Sequence, residues 1–167
     1  MGRTIPSFRI ASIMEEKTGK EFREQLNKND RKIFDNLFNV ATLYNSASSY
    51  AAIPIRIHPI MMSIVFHHYK NLKECLESKN MLLFTDEKDN NDINIDQNSS
   101  STILQRELKK WKTYSNILRQ PNRDLYNEMI QSIYKYSSAI DAKGENYATE
   151  SLLMSLLFEQ HKILNKY

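Results

Sequence analysis

Three histidines and the single cysteine, all within one stretch of the chain, are the residues best suited to metal or thiolate chemistry. His68 and Cys75 are seven residues apart and so share one face of a helix, with His58 and His67 close by in the sequence. Imidazole and thiolate are preferred ligands of zinc and other transition metals. A closed site would need further ligands, and helical geometry separates His67 from His68. We therefore expect His68 and Cys75 to lie in the core and predict no metal, cofactor or catalytic nucleophile.

Four glutamates near the N-terminus are the remaining candidates for acid–base catalysis. They alternate with cations in the order Glu15, Glu16, Lys17, Lys20, Glu21, Arg23 and Glu24. Such alternation is typical of a solvated helix with local ion pairs, whereas paired-carboxylate catalysis needs burial that separates the two pKa values. Only three glycines occur, and no glycine-rich phosphate loop can be built from them. The sequence therefore predicts a protein that is not an enzyme, and an enzyme or metal protein centred on His58, His68 and Cys75 is the least favoured alternative.

Two basic clusters indicate an alternative, which is direct binding to nucleic acid. The first comprises Arg3 and Arg9 near the N-terminus, and the second comprises Arg106, Lys109, Lys110 and Lys112 around Trp111. Arginine and lysine contact phosphates, and a short basic arm can enter a groove. The net charge is only +3, however, and at this charge density solvated lysines on a bundle helix and a frayed terminus explain the pattern better. Both interpretations stay open.

Hydrophobic residues recur at helical spacing on both sides of a polar, acidic segment. Residues 85–101 carry five acids and one lysine among Asn, Ser and Gln, and are predicted to form a connector. It divides the chain into an N-terminal helical module, residues 1–84, and a three-helix segment, residues 102–167. We predict an all-α bundle of five to six helices. We expect six helical segments, over residues 7–17, 30–48, 59–79, 102–120, 122–141 and 148–164, where the first is counted together with a short helix that follows it directly and runs through Leu26.

Capping residues and hydrophobic stripes refine this expectation. Asp30 is the predicted N-cap of its helix, and Ile13 or Met14 is expected to face inward. The N-terminal module is predicted to pack through Ile33, Phe34, Leu37, Ile60, Ile64 and Leu72. No internal repeat is evident from the sequence. A single cysteine fits a reducing compartment, and no stretch of 18 apolar residues occurs, so we expect a cytoplasmic protein outside the membrane.

Residues 1–78 resemble a family of short archaeal proteins of unknown function. The similarity lies in the segments MGRTIPSFRIASIMEEK, NDRKIFDNLFNVATLYNSA and IRIHPIMMSIVFHHYKNL. This resemblance implies an archaeal, cytoplasmic setting and assigns no catalytic or binding residue. The leading hypothesis is a non-enzymatic helical protein that binds a protein partner or a complex of the DNA or RNA machinery.

Overall fold

The computed structural model describes residues 7–78 and 102–165, and these residues form nine α-helices with no strand. The predicted all-α bundle is thereby confirmed. The connector predicted at residues 85–101 lies outside the described residues. The helices are α1 (Phe8–Thr18), α2 (Lys20–Gln25), α3 (Lys28–Thr42), α4 (Asn45–Ala51), α5 (Ile57–Ser78), α6 (Thr102–Ile117), α7 (Asn122–Gln131), α8 (Ser137–Lys143) and α9 (Ala148–Asn165). A 3₁₀ segment (Ser132–Tyr136) joins α7 to α8, and a second (Glu145–Tyr147) precedes α9.

Two predicted helices are interrupted, and one predicted cap is wrong. The helix expected over residues 30–48 divides into α3 and α4, and the helix expected over residues 122–141 divides into α7, a 3₁₀ segment and α8. Asn27, rather than Asp30, caps α3, because its side-chain oxygen accepts from the backbone N–H groups of Asn29 and Asp30. Asp30 lies in the first turn, where a carboxylate favours the positive end of the helix dipole.

One main hydrophobic core includes residues from both sides of the undescribed connector. Phe66 and Tyr69 of α5 pack there with Trp111, Tyr114 and Tyr126 from the C-terminal part of the chain. A smaller cluster between α3 and α5 contains Ala41, Ile60 and Ile64. Both described ranges of the chain therefore contribute residues to the main core.

Several residues predicted to face the core lie at the surface instead. Ile33 is 61% exposed, and Ile13 and Met14 are also exposed. Phe34, Leu37 and Leu72 are half-buried, whereas Ile60 and Ile64 are buried as predicted. A hydrophobic stripe identifies the apolar face of a helix, but burial requires a neighbour to cover it, and nothing among the described residues covers Ile33.

The helices repeat themselves after a shift of 92 residues, so the expectation that the chain lacks an internal repeat is wrong. Helix α4 (Asn45–Ala51) and helix α8 (Ser137–Lys143) have identical lengths and coincide under this shift, as do the ends of α2 and α6. Tyr44 before α4 has φ −111° and ψ 16°, and Tyr136 before α8 has φ −108° and ψ 12°. We call residues 7–78 repeat 1 and residues 102–165 repeat 2, and residues 92 apart equivalent.

Side-chain contacts repeat with the same shift. The Arg31 guanidinium donates to the backbone carbonyls of Leu26 and Glu24, and the equivalent Arg123 donates to those of Leu118 and Asn116. The rings of Tyr44 and Phe66 meet edge to face at 5.3 Å, and those of Tyr136 and Phe158 do so at 5.7 Å. Other equivalent pairs are Tyr44–His67 and Tyr136–Glu159, Arg23–Asp35 and Ser115–Asn127, and Ser63–Pro59 and Ser155–Ser151. Although α6 is continuous where α1 and α2 are separate, the agreement of these helix bounds and contacts identifies a tandem duplication.

Two stacked tyrosines in the core differ in hydrogen bonding. The hydroxyl of Tyr114 lies 2.9 Å from Ser63 Oγ, whereas the buried hydroxyl of Tyr126 has no hydrogen-bond partner among the described residues. Their ring centroids are 5.1 Å apart. Burial raises the pKa of both hydroxyls, so both are protonated at neutral pH.

This difference predicts opposite outcomes for the same change at the two positions. Tyr126→Phe should leave the free energy of unfolding unchanged or raise it by up to about 1 kcal/mol, because it removes an unpaired buried hydroxyl. Tyr114→Phe should lower it by about 1 kcal/mol through loss of the bond to Ser63. Urea denaturation of both variants measures the difference. Equal destabilisation by the two changes would contradict the assigned hydrogen bonds.

Candidate protein-binding faces

The histidines and the cysteine do not form a common site. His58 is buried, with its Nε2 3.3 Å from the Glu150 carboxylate, and His67 Nδ1 lies 3.1 Å from the Tyr44 hydroxyl. His68 and Cys75 are exposed, so the prediction that both lie in the core is wrong. The α5 residues that belong to the smaller hydrophobic cluster lie between Ile57 and Ile64. The cluster therefore ends before it reaches His68 and Cys75, and this leaves both side chains exposed. Within the described ranges, no group of three His, Cys, Asp or Glu side chains is arranged to hold a metal ion.

The basic residues near Trp111 are exposed but are partly engaged with carboxylates. Arg106 pairs with Glu145 at 2.5 Å, and Lys110 pairs with the buried Glu107 at 2.7 Å. Arg9 is exposed on α1, in repeat 1, whereas the other described cations of the prediction are all on α6. Arg3 lies outside the described residues.

A groove beside α6 is the place where these cations come closest to forming a ligand site. Lys109, Lys112 and Arg123 line a groove of about 700 Å³ between α6 and α7, together with Tyr126 and Tyr134. The Arg123 guanidinium is already bound to two backbone carbonyls, which leaves the two lysines as the cations directed to solvent. Phosphate contacts through two lysines provide a small electrostatic attraction.

The two repeats pack head to tail, so different surfaces of each repeat meet. Helices α4 and α5 of repeat 1 pack against α6, α7 and α9 of repeat 2, whereas α8 packs mainly within its own repeat. Ser48 and Ser63 of repeat 1 share a buried hydrogen-bond network with Tyr114 of repeat 2. If the repeats were related by a two-fold axis, the packing of α4 on α6 would be matched by packing of α8 on α1 and α2. The principal contacts of α8 are instead with elements of its own repeat.

Head-to-tail packing leaves one apolar surface open at the end of repeat 2. Met62, Val65 and Phe66 of α5 are at most 1% exposed, whereas the equivalent Met154, Leu157 and Phe158 of α9 are 66%, 39% and 52% exposed. The exposed Ala139 of α8 likewise corresponds to the buried Ala47 of α4. We call Ala139, Met154, Leu157 and Phe158 the C-terminal face. It borders a cavity of about 280 Å³ that is also lined by Ile140 and Ser155.

A complementary apolar surface is open at the beginning of repeat 1. Phe22 is 63% exposed and Ile33 is 61% exposed, with Phe34 half-buried between α2 and α3. The residues equivalent to Phe22 and Phe34 are Tyr114 and Tyr126, which are 0% and 1% exposed in the interface between the repeats. We call Phe22, Ile33 and Phe34 the N-terminal face. The sequence analysis predicted that Ile33 and Phe34 pack in a core. The signal that it missed was the repeat, because only the equivalents of these residues in repeat 2 have a neighbouring repeat that covers them.

The fold and its two open faces define an all-α protein built from a tandem helical repeat. The chain belongs to the family described as Domain of unknown function (DUF8156), whose model matches residues 1–102 and therefore covers repeat 1 and the predicted connector. No curated protein and no solved structure matches this chain. None of the helices in the described ranges combines the length and apolar character that a membrane-spanning segment needs.

Proposed function

We propose that this protein is a non-enzymatic helical interaction protein that binds a protein partner through its C-terminal and N-terminal faces. The observation that carries the proposal is the exposure of Met154, Leu157 and Phe158, whose equivalents Met62, Val65 and Phe66 are buried between the repeats. Contiguous exposed apolar surface is typical of protein–protein contact sites. The same residue types already form the contact between the two repeats of this chain, so the chemistry of the exposed face suits another helical surface.

Direct nucleic-acid binding is the second candidate, and the groove lined by Lys109 and Lys112 favours it. The engagement of Arg106 and Lys110 with Glu145 and Glu107 reduces the positive charge available there. Binding through this groove would weaken steeply with salt because counterions are released from the phosphates. We further propose a cytoplasmic protein of archaeal origin, which is supported by the resemblance of residues 1–78 and by the single cysteine.

A photo-reactive phenylalanine analogue at two positions separates the candidates. One variant carries it at Phe158 in the C-terminal face, and the other carries it at Tyr134 in the groove. After irradiation in native lysate, we expect a nuclease-resistant adduct at position 158 that has the mass of a covalent protein–protein product and disappears when Met154→Asp is added. A nuclease-sensitive, salt-dependent adduct at position 134 alone would replace the proposal with nucleic-acid binding.

A further inference from the structure

We propose that the partner of the C-terminal face is the N-terminal face of a second copy of this chain, so that copies join head to tail. The inference rests on the proposed function and names its partner. Within one chain, α4 and α5 of repeat 1 pack against α6 and α7 of repeat 2. In the proposed contact, the equivalent helices α8 and α9 of one copy pack in the same way against α2 and α3 of the next copy. The contact between the repeats within one chain is the template for the contact between chains.

The first support is that the receiving surface has a matching shape in both repeats. Ala47, Ser48, Met62 and Ser63 of repeat 1 are buried in the packing between the repeats. Their equivalents Ala139, Ile140, Met154 and Ser155 line the cavity of about 280 Å³ at the end of repeat 2. The backbone that frames them has the same helix bounds, because α4 and α8 coincide under the shift. On repeat 2, the cavity therefore lies at the position equivalent to the one where α6 packs on repeat 1.

The second support is that the incoming surface is an aromatic pair in both repeats. Tyr114 and Tyr126 have ring centroids 5.1 Å apart, and Phe22 and Phe34 have theirs at 5.6 Å. The tyrosine pair is buried by repeat 1, whereas Phe22 is largely exposed. An exposed phenylalanine on a short helix gains hydrophobic free energy when a second apolar surface covers it.

The third support is a matched change in polarity on both sides of the contact. Within the chain, the Tyr114 hydroxyl is bonded to Ser63, which in turn lies 3.0 Å from Ser48 Oγ. At the proposed contact, Phe22 replaces the tyrosine and Ile140 replaces Ser48, so the hydroxyl is lost on both surfaces. The retained Ser155 bonds the Ser151 carbonyl, so it needs no hydroxyl from the incoming ring. A buried polar group is therefore not left unpaired there.

Head-to-tail contacts are heterologous, so they lead to closed rings or open chains of copies. Each copy presents one intact C-terminal face and one intact N-terminal face. Because the faces differ, a variant with one damaged face still offers the other. This property distinguishes the proposal from a two-fold dimer in which one patch binds itself.

The test compares Met154→Asp and Phe22→Asp with the wild-type full chain by sedimentation and light scattering over a concentration series. Wild type should self-associate, and each variant alone should associate about a hundredfold more weakly, because an aspartate is buried in an apolar contact. An equimolar mixture of the two variants should form a dimer and nothing larger. The dimer forms through the C-terminal face of Phe22→Asp and the N-terminal face of Met154→Asp.

The outcomes are distinct. Both substitutions are at exposed positions, so we expect both variants to fold. A helical circular dichroism spectrum identical to that of the wild type verifies this. A matched control is Tyr50→Asp, an exposed aromatic on α4 outside both faces, which should associate as wild type does. Association lost in only one variant, or a mixture that stays monomeric, overturns the head-to-tail contact. A wild-type chain that is monomeric throughout, yet gives the adduct at position 158, overturns the second copy as partner and leaves the proposed function standing.

Discussion

Replacing Phe66 with alanine should lower the free energy of unfolding by about 3–5 kcal/mol, whereas replacing the equivalent Phe158 should lower it by less than about 1 kcal/mol. Phe66 is fully buried and meets the rings of Tyr44 and Tyr126 edge to face. Its truncation removes dispersion contacts and leaves a cavity that close-packed neighbours fill only in part. Phe158 is 52% exposed, so its truncation leaves no enclosed cavity.

Chemical denaturation of the two alanine variants at a concentration that keeps the wild type monomeric measures this pair. The chain supplies its own control, since both phenylalanines follow a serine by three residues on equivalent helices. Both also contact an equivalent tyrosine, so the loss of that one contact is common to the two variants. Similar losses of stability in both would contradict the asymmetric packing of the repeats and, with it, the open C-terminal face.

The all-α class and the approximate position of most helices could be predicted from hydrophobic periodicity, because a helix must present one apolar stripe to a neighbour. The periodicity could not tell which stripes have a neighbour within the chain. Ile33 and its equivalent Leu125 occupy the same position on such a stripe, but Ile33 is exposed and Leu125 packs on the core. Only the arrangement of the two repeats decides between these outcomes.

The duplication was not evident from the sequence because few equivalent residues are identical. Equivalent residues share a physical type more often than an identity, as with Phe34 and Tyr126 or Asp35 and Asn127. Packing and hydrogen bonding constrain side-chain shape, and they leave the exact residue free to change. The signal present in the sequence was the spacing of 13 residues from Arg31 to Tyr44, which recurs in the second half of the chain. The candidate faces follow from the duplication, so they were hidden with it.

Glu107 is a buried carboxylate on α6, in the midst of the basic cluster around Trp111, and the hydrophobic stripes of the sequence do not mark it as a core residue. Its side chain is 1% exposed and accepts hydrogen bonds from Trp111 Nε1 at 3.0 Å, from the Thr149 hydroxyl, and from Lys110 Nζ at 2.7 Å. The three donors come from its own helix and from α9, so one carboxylate joins the two helices. A buried carboxylate is tolerated because every donor that surrounds it is paired.

Glu107→Ala should therefore lower the free energy of unfolding by about 3–5 kcal/mol, because it opens a cavity and leaves the Trp111 and Thr149 donors unpaired. Glu107→Gln keeps the shape and one acceptor oxygen, and should cost about half as much. The equivalent Glu15 is half-buried, so Glu15→Ala should cost less than about 0.5 kcal/mol. Denaturation followed by Trp111 fluorescence measures all three and also reports the loss of the indole hydrogen bond. A cost for Glu107→Ala no larger than that for Glu15→Ala would place the carboxylate in solvent, and the α6–α9 contact would then be held by apolar packing alone.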